Sequence, residues 1–429
     1  MGSGLATATT TRSGGRILLR NGLVEVAIDA DGLFSSVRDL VADRELIPAG
    51  TRGNLLQLHR DVPSAWDAWD LDASYSRLVT DLTEADSVEI AGTATCTTTG
   101  TTTATGTAAM AATGTDAGTA TGTTTTTATR TTTGTTTATG TTATTRTTTG
   151  TATAAGTASV RIERSFGASR ISQVVSLAPG RATIDLAFTI DWHERQKLLK
   201  LAFPLDVHAD RAASEIQFGH VFRPTHANTS WDAARYETVA HRWVHVGEPG
   251  YGVAVANDST YGHDIARTTD AAGHPATTVR LSLLRAPLYP DPDADQGEHA
   301  LRVSIGVGAG IPEAIAEGYR LNLPLRTLAG VAHPDVEPLL HVDNPAVVIE
   351  AVKLAEDRSG DVVVRLYEAH GSRARATLIR SFDAAEPVET DLLERALAEP
   401  RAHLRSEGTA TALELRPFQL VTLRFGRSG

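Results

Sequence analysis

Residues 171–190 are Ile171-Ser-Gln-Val-Val-Ser-Leu-Ala-Pro-Gly-Arg-Ala-Thr-Ile-Asp-Leu-Ala-Phe-Thr-Ile190. On both sides of Pro179-Gly180, apolar side chains alternate with polar ones, with few exceptions. An alternation with period two is typical of a strand that buries one face, and Pro-Gly is a turn signal. The stretch therefore predicts strand-like runs separated by a turn, as in an antiparallel sheet.

The same pattern recurs along most of the chain. Runs at 198–207, 252–256, 278–284 and 300–307 are separated by Gly, Pro and Asp, and 22–46 has the hairpin turn pair Asp31-Gly32. A second group of runs follows a Pro- and His-bearing linker at 332–338; it comprises 346–351, 361–367, 374–380 and 418–425. Only 313–317 and 386–397 have weak helical periodicity.

These patterns predict an all-β fold in two parts. The first is a large antiparallel β-sandwich at 21–330, and the second is a small β-sandwich module at 339–429. Residues 1–20 are expected to be a poorly ordered leader.

Residues 92–157 differ in kind from the rest, because they are almost wholly Thr, Ala and Gly. Met110 is the one large apolar residue among them, so they cannot bury enough surface to offset the entropy of ordering. Every one-letter residue code in this segment is also a nucleotide or nucleotide-ambiguity symbol. The segment can therefore be a genuine insertion, the translation of a simple repeat, or contaminating nucleotide sequence. We predict a low-complexity insertion without a site, flanked by strands at 86–90 and 158–163 that a short turn would ordinarily join.

Composition excludes several classes of function. A net charge of −11 disfavours nucleic acid and anionic membranes as partners. No apolar run approaches membrane-spanning length, and the lone Cys96 cannot form an internal disulfide. A cytoplasmic protein that binds neither nucleic acid nor membrane is the expectation.

Residues 217–232 concentrate two imidazoles, a guanidinium, an amide, an indole and a carboxylate. Because Gly219 and Pro224 break regular structure, most of these side chains are expected to project from a loop, where polar recognition is common. In the alternative interpretation, His220 and His226 cap strands, and Trp231 fills the hydrophobic core. The density of polar groups favours a recognition loop.

Two Trp-Asp pairs at 66–70 could stack on a sugar face through Trp66 and Trp69, although two core tryptophans are an equal alternative. The acidic loop at 290–297 could hold a cation or sugar hydroxyls. Asp191-Trp-His-Glu194 has no second His at the spacing of a metalloprotease. The residues alone indicate a β-rich protein with a surface suited to carbohydrate, and they identify neither catalytic residues nor a metal site.

Taken together, several motifs resemble one family. In chain order they are Asn54-Leu-Leu-Gln57, Trp66-Asp-Ala-Trp-Asp70, Asp191-Trp-His-Glu-Arg-Gln-Lys-Leu-Leu-Lys200, Phe203-Pro204, Gln217-Phe-Gly219, Arg223-Pro-Thr-His226, Asn228-Thr-Ser-Trp-Asp232, His241-Arg-Trp243, Asn257-Asp-Ser-Thr-Tyr-Gly262, Leu281-Ser-Leu-Leu-Arg-Ala-Pro287, Asp295-Gln-Gly297, Gly318-Tyr-Arg-Leu-Asn322, Asp343-Asn-Pro345 and Arg416-Pro-Phe-Gln419. Over nearly the whole chain outside 92–157, they resemble the C-terminal β-region of glycoside hydrolase family 38, the class II α-mannosidases.

The resemblance implies a retaining α-mannosidase that hydrolyses terminal α-mannosides with a zinc ion, an Asp nucleophile and a carboxylic acid/base. In the family these groups belong to an N-terminal α/β barrel and the helical segment after it. No catalytic residue or zinc ligand is therefore carried onto a position of this chain. The expected partners are mannose-containing glycans and the N-terminal catalytic domain, without which the chain is expected to be inactive.

In the family, some loops of the β-region reach toward the cleft. By that resemblance the candidates for lining the cleft or docking the domains are Arg223, His226, Asn228, Trp231, Asp232, Tyr261, Arg285 and Asp295. Two alternatives stay open: a stand-alone carbohydrate-binding module, and a structural scaffold whose loops are covered by a partner domain.

Overall fold

A computed structural model describes residues 7–91, 156–323, 325 and 337–427. In these residues antiparallel strands predominate, which confirms the predicted all-β fold class. None of the described helices is long and apolar enough to cross a membrane. Nearly all of the predicted insertion lies outside the described residues, as do Cys96, residues 1–6 and most of the linker.

The secondary structure follows the chain in three groups. Before the insertion are β1 (Thr9–Ser13), β2 (Arg16–Arg20), β3 (Val24–Ile28), β4 (Phe34–Asp39), β5 (Arg44–Glu45), β6 (Leu55–Arg60), a 3-10 helix (Ala73–Arg77), β7 (Val79–Leu82) and β8 (Ser87–Ala91). After it are β9 (Ala158–Phe166), β10 (Ser169–Leu177), β11 (Thr183–Trp192), β12 (Lys197–Leu205), β13 (Arg211–Ile216), β14 (Gly219–Pro224), α1 (Ser230–Ala233), β15 (Thr238–Val239), β16 (Trp243–Glu248), β17 (Tyr251–Asn257), β18 (Gly262–Thr269), β19 (Pro275–Arg285), β20 (Gly297–Val307) and α2 (Ile311–Asn322). The last group is β21 (Leu340–Val342), β22 (Val347–Leu354), β23 (Val362–Glu368), β24 (Ala374–Arg380), β25 (Ala384–Thr390), β26 (His403–Glu407), β27 (Ala410–Leu415) and β28 (Leu420–Arg427).

The strands form five sheets within the described residues. Sheet 1 has the order β1-β2-β3-β4-β5, sheet 2 the order β14-β13-β16-β17-β20-β11-β10-β9-β8, and sheet 3 the order β15-β18-β19-β12-β6-β7. Sheets 4 (β21-β24-β27-β26) and 5 (β22-β23-β28-β25) form the small sandwich. Sheets 1 to 3 share one hydrophobic core, and sheets 4 and 5 enclose another.

The opening stretch forms a hairpin in the middle of sheet 2. β10 and β11 pair antiparallel, with Ile171 opposite Ile190 and Leu177 opposite Ile184. Gly180 in the turn has a φ of 66°, which glycine adopts without strain. Buried side chains alternate with less buried ones along both strands, as the sequence predicts.

Two local expectations were wrong. Part of the predicted leader forms β1 and β2, because Ile17 and Leu19 of β2 are buried in the large core and β1 pairs with β2. The predicted helix at 386–397 is instead strand β25 and turns. Pro387 lies inside that stretch, where a helix would lose a hydrogen bond, whereas a strand at the edge of a sheet accommodates proline.

Helix α2 packs between the two sandwiches. It includes the predicted helical segment 313–317 and is longer at both ends. At its start, the Glu313 carboxylate accepts a hydrogen bond of 2.9 Å from the backbone N–H of Gly310. Its apolar side packs with Trp243 of sheet 2 and with Tyr367 and Ala369 of the small sandwich. The large and small sandwiches therefore contact each other through buried apolar side chains.

The strands that flank the insertion are paired, as predicted. β8 and β9 form an antiparallel ladder, with Ala91 opposite Ser159. Replacing 92–155 with Asn-Gly is therefore expected to preserve the fold. Shortening a loop by roughly four doublings relieves closure entropy at about 0.6 kcal/mol each, so the free energy of unfolding should rise by about 2 kcal/mol. Thermal denaturation followed by circular dichroism measures this. A lower melting temperature would mean that the insertion supports the sandwich.

Candidate functional site

The stretch 217–232 begins with a turn at 217–218 and then a strand, so the expectation of a loop is corrected for His220 and Arg223. Residues Gly219–Pro224 form β14 at the edge of sheet 2, and the two residues that break regular structure lie at its ends. A Cβ on Gly219 would lie 2.8 Å from the Phe418 ring, so close packing against the small sandwich requires glycine there. The antiparallel ladder with β13 holds the strand in place.

His220 is a structural residue at the contact between the two sandwiches. Its ring lies edge-on to Phe222 and Phe418, with centroid distances of 5.2 and 5.1 Å, and 5.8 Å from Trp243. Burial lowers its pKa. Neither open interpretation placed this histidine between domains.

After β14 the chain forms the expected loop and then the single turn α1. Thr229 caps α1 by accepting a 3.1 Å hydrogen bond from the backbone N–H of Asp232. The Asp232 carboxylate accepts a 2.8 Å bond from the Thr229 hydroxyl and lies 3.6 Å from Nδ1 of His226. Trp231 is 75% exposed, so the interpretation of this residue as core is wrong.

A cavity of about 670 Å³ lies beside this loop, where β13 and β14 of sheet 2 approach β15 and β18 of sheet 3. We call it the arginine pocket. Four of the predicted site residues line it: Arg223, His226, Asn228 and Asp232. Its other polar and charged lining includes Tyr75, Ser76, Ser214, Thr225, Arg235, Tyr236, Thr238, His263, Asp264, Arg267, Thr268, Thr269 and Arg280. The sequence did not reveal these partners, because strands distant in sequence bring them together.

A buried ionic network underlies the pocket; we call it the lysine cluster (Tyr75, Lys200, Glu237, Asp264 and Arg280). The Lys200 ammonium is fully buried, contacts the Glu237 carboxylate, and lies 2.7 Å from Oδ2 of Asp264. The Arg280 Nε donates a 2.8 Å bond to Oδ1 of Asp264, and Lys200 donates one of 3.3 Å to the Tyr75 hydroxyl. Burial alone would raise the pKa of Asp264, but Lys200 and Arg280 outweigh it and lower that pKa.

His263 lies at the rim of this network and is buried. Its Nε2 is 3.3 Å from the Ser214 hydroxyl and 3.1 Å from the Thr238 hydroxyl. Its pKa is lowered to about 4, mainly by burial and further by the positive charges of Arg223 and Lys200. The backbone carbonyl of Tyr261 and the negative charge of Asp264 act in the opposite direction.

The lowered pKa of His263 predicts a loss of stability in acid. The unfolded chain takes up a proton near pH 6.5, whereas the folded chain does so only at about pH 4. Stability from this group is therefore complete above pH 6.5 and falls by about 3 kcal/mol between these values. Urea unfolding of the parent protein and of His263→Gln at pH 6.5 and at about pH 4 measures the contribution of His263 to the free energy of unfolding. Equal losses in the two proteins would contradict it.

Trp66 and Trp69 lie on a pinned surface loop, the tryptophan loop (66–70). They are 72% and 66% exposed, so the alternative of two core tryptophans is wrong. The Asp67 carboxylate accepts bonds of 2.7 and 3.0 Å from the backbone N–H groups of Leu288 and Tyr289. Both indoles are therefore exposed to solvent, while hydrogen bonds to Asp67 fix the position of the loop.

Arg285 is the main anchor of the tryptophan loop. Its guanidinium pairs with the buried Asp61 carboxylate and donates to the carbonyls of Asp67 at 2.7 Å, Ala68 at 3.2 Å and Asp70. Burial raises the pKa of Asp61, with Arg285 acting in the opposite direction. The predicted site residue Arg285 therefore positions a loop, and most of its donors are already used.

Of the remaining four candidates, Trp231 is on α1 but does not line the arginine pocket, and the other three lie elsewhere. Arg285 and Asp295 line a second depression of about 360 Å³ together with Glu237. Tyr261 is exposed beside His241 and lines neither cavity. The eight candidates thus do not form one site.

The zinc that the family resemblance implies has no matching ligand set here. Among the described residues, no group of three or more His, Cys, Asp or Glu side chains is placed to hold a metal ion. The carboxylates of the lysine cluster are bound to cations of the chain itself. We therefore derive no step through zinc on these residues.

Comparison with known proteins agrees with the fold. The model for "Glycosyl hydrolases family 38 C-terminal domain" matches residues 19–98 and 140–293. The model for "Glycosyl hydrolases family 38 C-terminal beta sandwich domain" matches 346–423. The chain belongs to glycosyl hydrolase family 38, of which it carries the C-terminal β-region, as its motifs predict.

Relatives with curated names are α-mannosidases. The chain is 34% identical to alpha-mannosidase 2C1 of Homo sapiens over 95% of its own length, which covers 33% of that protein. It is 32% identical to alpha-mannosidase G of Dictyostelium discoideum over 60% of the chain and 24% of that protein. The crystal structure of an alpha-mannosidase from Enterococcus faecalis has the same fold, with a TM-score of 0.64, 14% identity, and coverage of 99% of this chain and 43% of that one. The chain spans about a third of the length of the human relative.

Proposed function

We propose that this chain is the C-terminal portion of a retaining α-mannosidase that hydrolyses terminal α-mannosides. In this proposal it contributes a docking surface and part of the cleft wall, is inactive alone, and works in the cytoplasm with zinc bound elsewhere in the enzyme. The family membership and the α-mannosidase relatives support the substrate class. The observation that carries the docking role is the tryptophan loop, held by Arg285 with both indoles exposed.

Exposed indoles on a pinned loop fit an interaction surface. Trp66 and Trp69 leave large apolar faces in water, and Tyr289 beside them is 67% exposed. Exposed aromatic surface of this kind is common at binding sites, because aromatic residues contribute strongly to interfaces and to sugar stacking. Because the loop backbone is already ordered, little further ordering entropy is lost on binding.

The test uses the chain with a separately produced N-terminal part of a family 38 α-mannosidase. The chain alone should not hydrolyse an aryl α-mannoside, and the mixture should do so in a zinc-dependent manner. Replacing both Trp66 and Trp69 with Ala should lower the recovered kcat/KM at least about tenfold, or ~1.4 kcal/mol. Leu354→Ala, an exposed apolar residue of the small sandwich, is the matched control. Activity of the chain alone would overturn the proposal.

A stand-alone carbohydrate-binding module is the second candidate, favoured by the two exposed indoles three residues apart. Calorimetry with mannose oligosaccharides should then give heat that the Trp66→Ala, Trp69→Ala variant lacks. An absence of heat at millimolar sugar would contradict this candidate without affecting the first.

A further inference from the structure

Three guanidinium groups of the arginine pocket lack an acidic partner among the described residues. Arg223 is on β14, Arg235 follows α1, and Arg267 is on β18. All three line the cavity, and none forms an ion pair or a side-chain hydrogen bond with the part of the chain that the structure describes. The chain as a whole is acidic, so this concentration of positive charge is a local feature.

Arg223 is in an unfavourable environment as it stands. Its Nη1 is buried and makes no hydrogen bond to the described residues. Burial, and next the charge of Arg235, lower its pKa. A buried donor without a partner costs free energy that an anionic ligand would recover.

The two carboxylates of the pocket are already engaged by other groups. Asp232 accepts from Thr229 and faces His226, while Asp264 is held by Lys200 and Arg280. Neither is in an ion pair with the three free guanidinium groups. Arg235 and Arg267 are exposed and Arg223 has a buried donor without a partner, so all three guanidinium groups are available to a ligand.

We propose that the arginine pocket binds the phosphate group of a phosphorylated sugar; the sugar part rests on the proposed function. Several guanidinium forks suit a group with three terminal oxygens better than a single carboxylate. The cavity of about 670 Å³ lies in the usual range for small-ligand sites. Asn228 in the lining supplies an amide for sugar hydroxyls, and the Tyr236 hydroxyl, which already donates to the Leu71 carbonyl, can still accept a hydrogen bond.

Calorimetry on the full chain with inorganic phosphate, mannose 6-phosphate and mannose tests this. Both phosphates should bind saturably and more weakly as salt increases, mannose 6-phosphate should bind more tightly than inorganic phosphate, and mannose alone should not bind. Arg223→Gln, Arg235→Gln and Arg267→Gln should each weaken phosphate binding about tenfold or more. Arg405→Gln, which removes an exposed charge from the small sandwich, should leave it unchanged.

Three outcomes would overturn the proposal. Phosphate heats no larger than those of chloride at equal ionic strength would exclude an anion site, and equal affinity for the two phosphates would exclude the sugar part. Loss of phosphate binding when the N-terminal catalytic part is added would assign the pocket to domain docking. None of these outcomes depends on mannoside hydrolysis. Calorimetry can therefore contradict the phosphate-binding proposal without contradicting the proposed function, and the hydrolysis assay can do the reverse.

Discussion

Lys200→Met is expected to destabilise the large sandwich by about 3–5 kcal/mol, because it leaves the largely buried Glu237 carboxylate without a cation. The ammonium of Lys200 is fully buried and contacts the carboxylates of both Glu237 and Asp264. Without it, Asp264 keeps Arg280, but the Glu237 carboxylate must either stay charged without a cation in a poorly solvated site or take up a proton. Urea unfolding followed by circular dichroism near neutral pH measures the loss.

Lys197→Met is the matched control for this prediction. Lys197 lies on the same strand, is only partly buried, and is in no ion pair with the described residues. Its replacement should change the free energy of unfolding by about 0.5 kcal/mol or less. Adding Glu237→Gln to Lys200→Met should recover part of the loss, since it removes the carboxylate that has lost its cation. Equal effects of the two lysine variants would show that the lysine cluster does not contribute in this way.

Arg285→Met is expected to have the second large effect, again a destabilisation of about 3–5 kcal/mol, and under the proposed function it should also lower the activity recovered with the N-terminal catalytic part. The variant leaves the buried Asp61 carboxylate without its cation. It also removes three hydrogen bonds to backbone carbonyls of the tryptophan loop. The pKa of Asp61, already raised by burial, should rise further. Because the carboxyl group can then be protonated, the destabilisation should shrink as pH falls.

A double-mutant cycle separates the two parts of this prediction. Asp61→Asn with Arg285→Met removes both charges, so it should be more stable than Arg285→Met alone. It should not restore activity with the N-terminal catalytic part, because the tryptophan loop stays unpinned. Restored activity in the double variant would mean that Arg285 acts through stability only.

Much of the fold could be predicted because it depends on local alternation. Ile184, Leu186 and Ile190 lie an even number of residues apart on β11, which places them on one face of the strand, and the structure buries all three. The errors arose where long-range contacts outweigh local signals. β1 and β2 form because Ile17 and Leu19 reach the large core, and Pro387 lies on an edge strand.

The site was less predictable, for a physical reason. The sequence by itself determined the all-β class, the two sandwiches, the family and the concentration of polar groups at 217–232, since these follow from local pattern and motif order. Only the tertiary structure decided that Trp66 and Trp69 face solvent and that Lys200 meets Glu237 and Asp264. Those contacts join residues far apart in sequence through the register of β12, β18 and β19, which local periodicity does not encode.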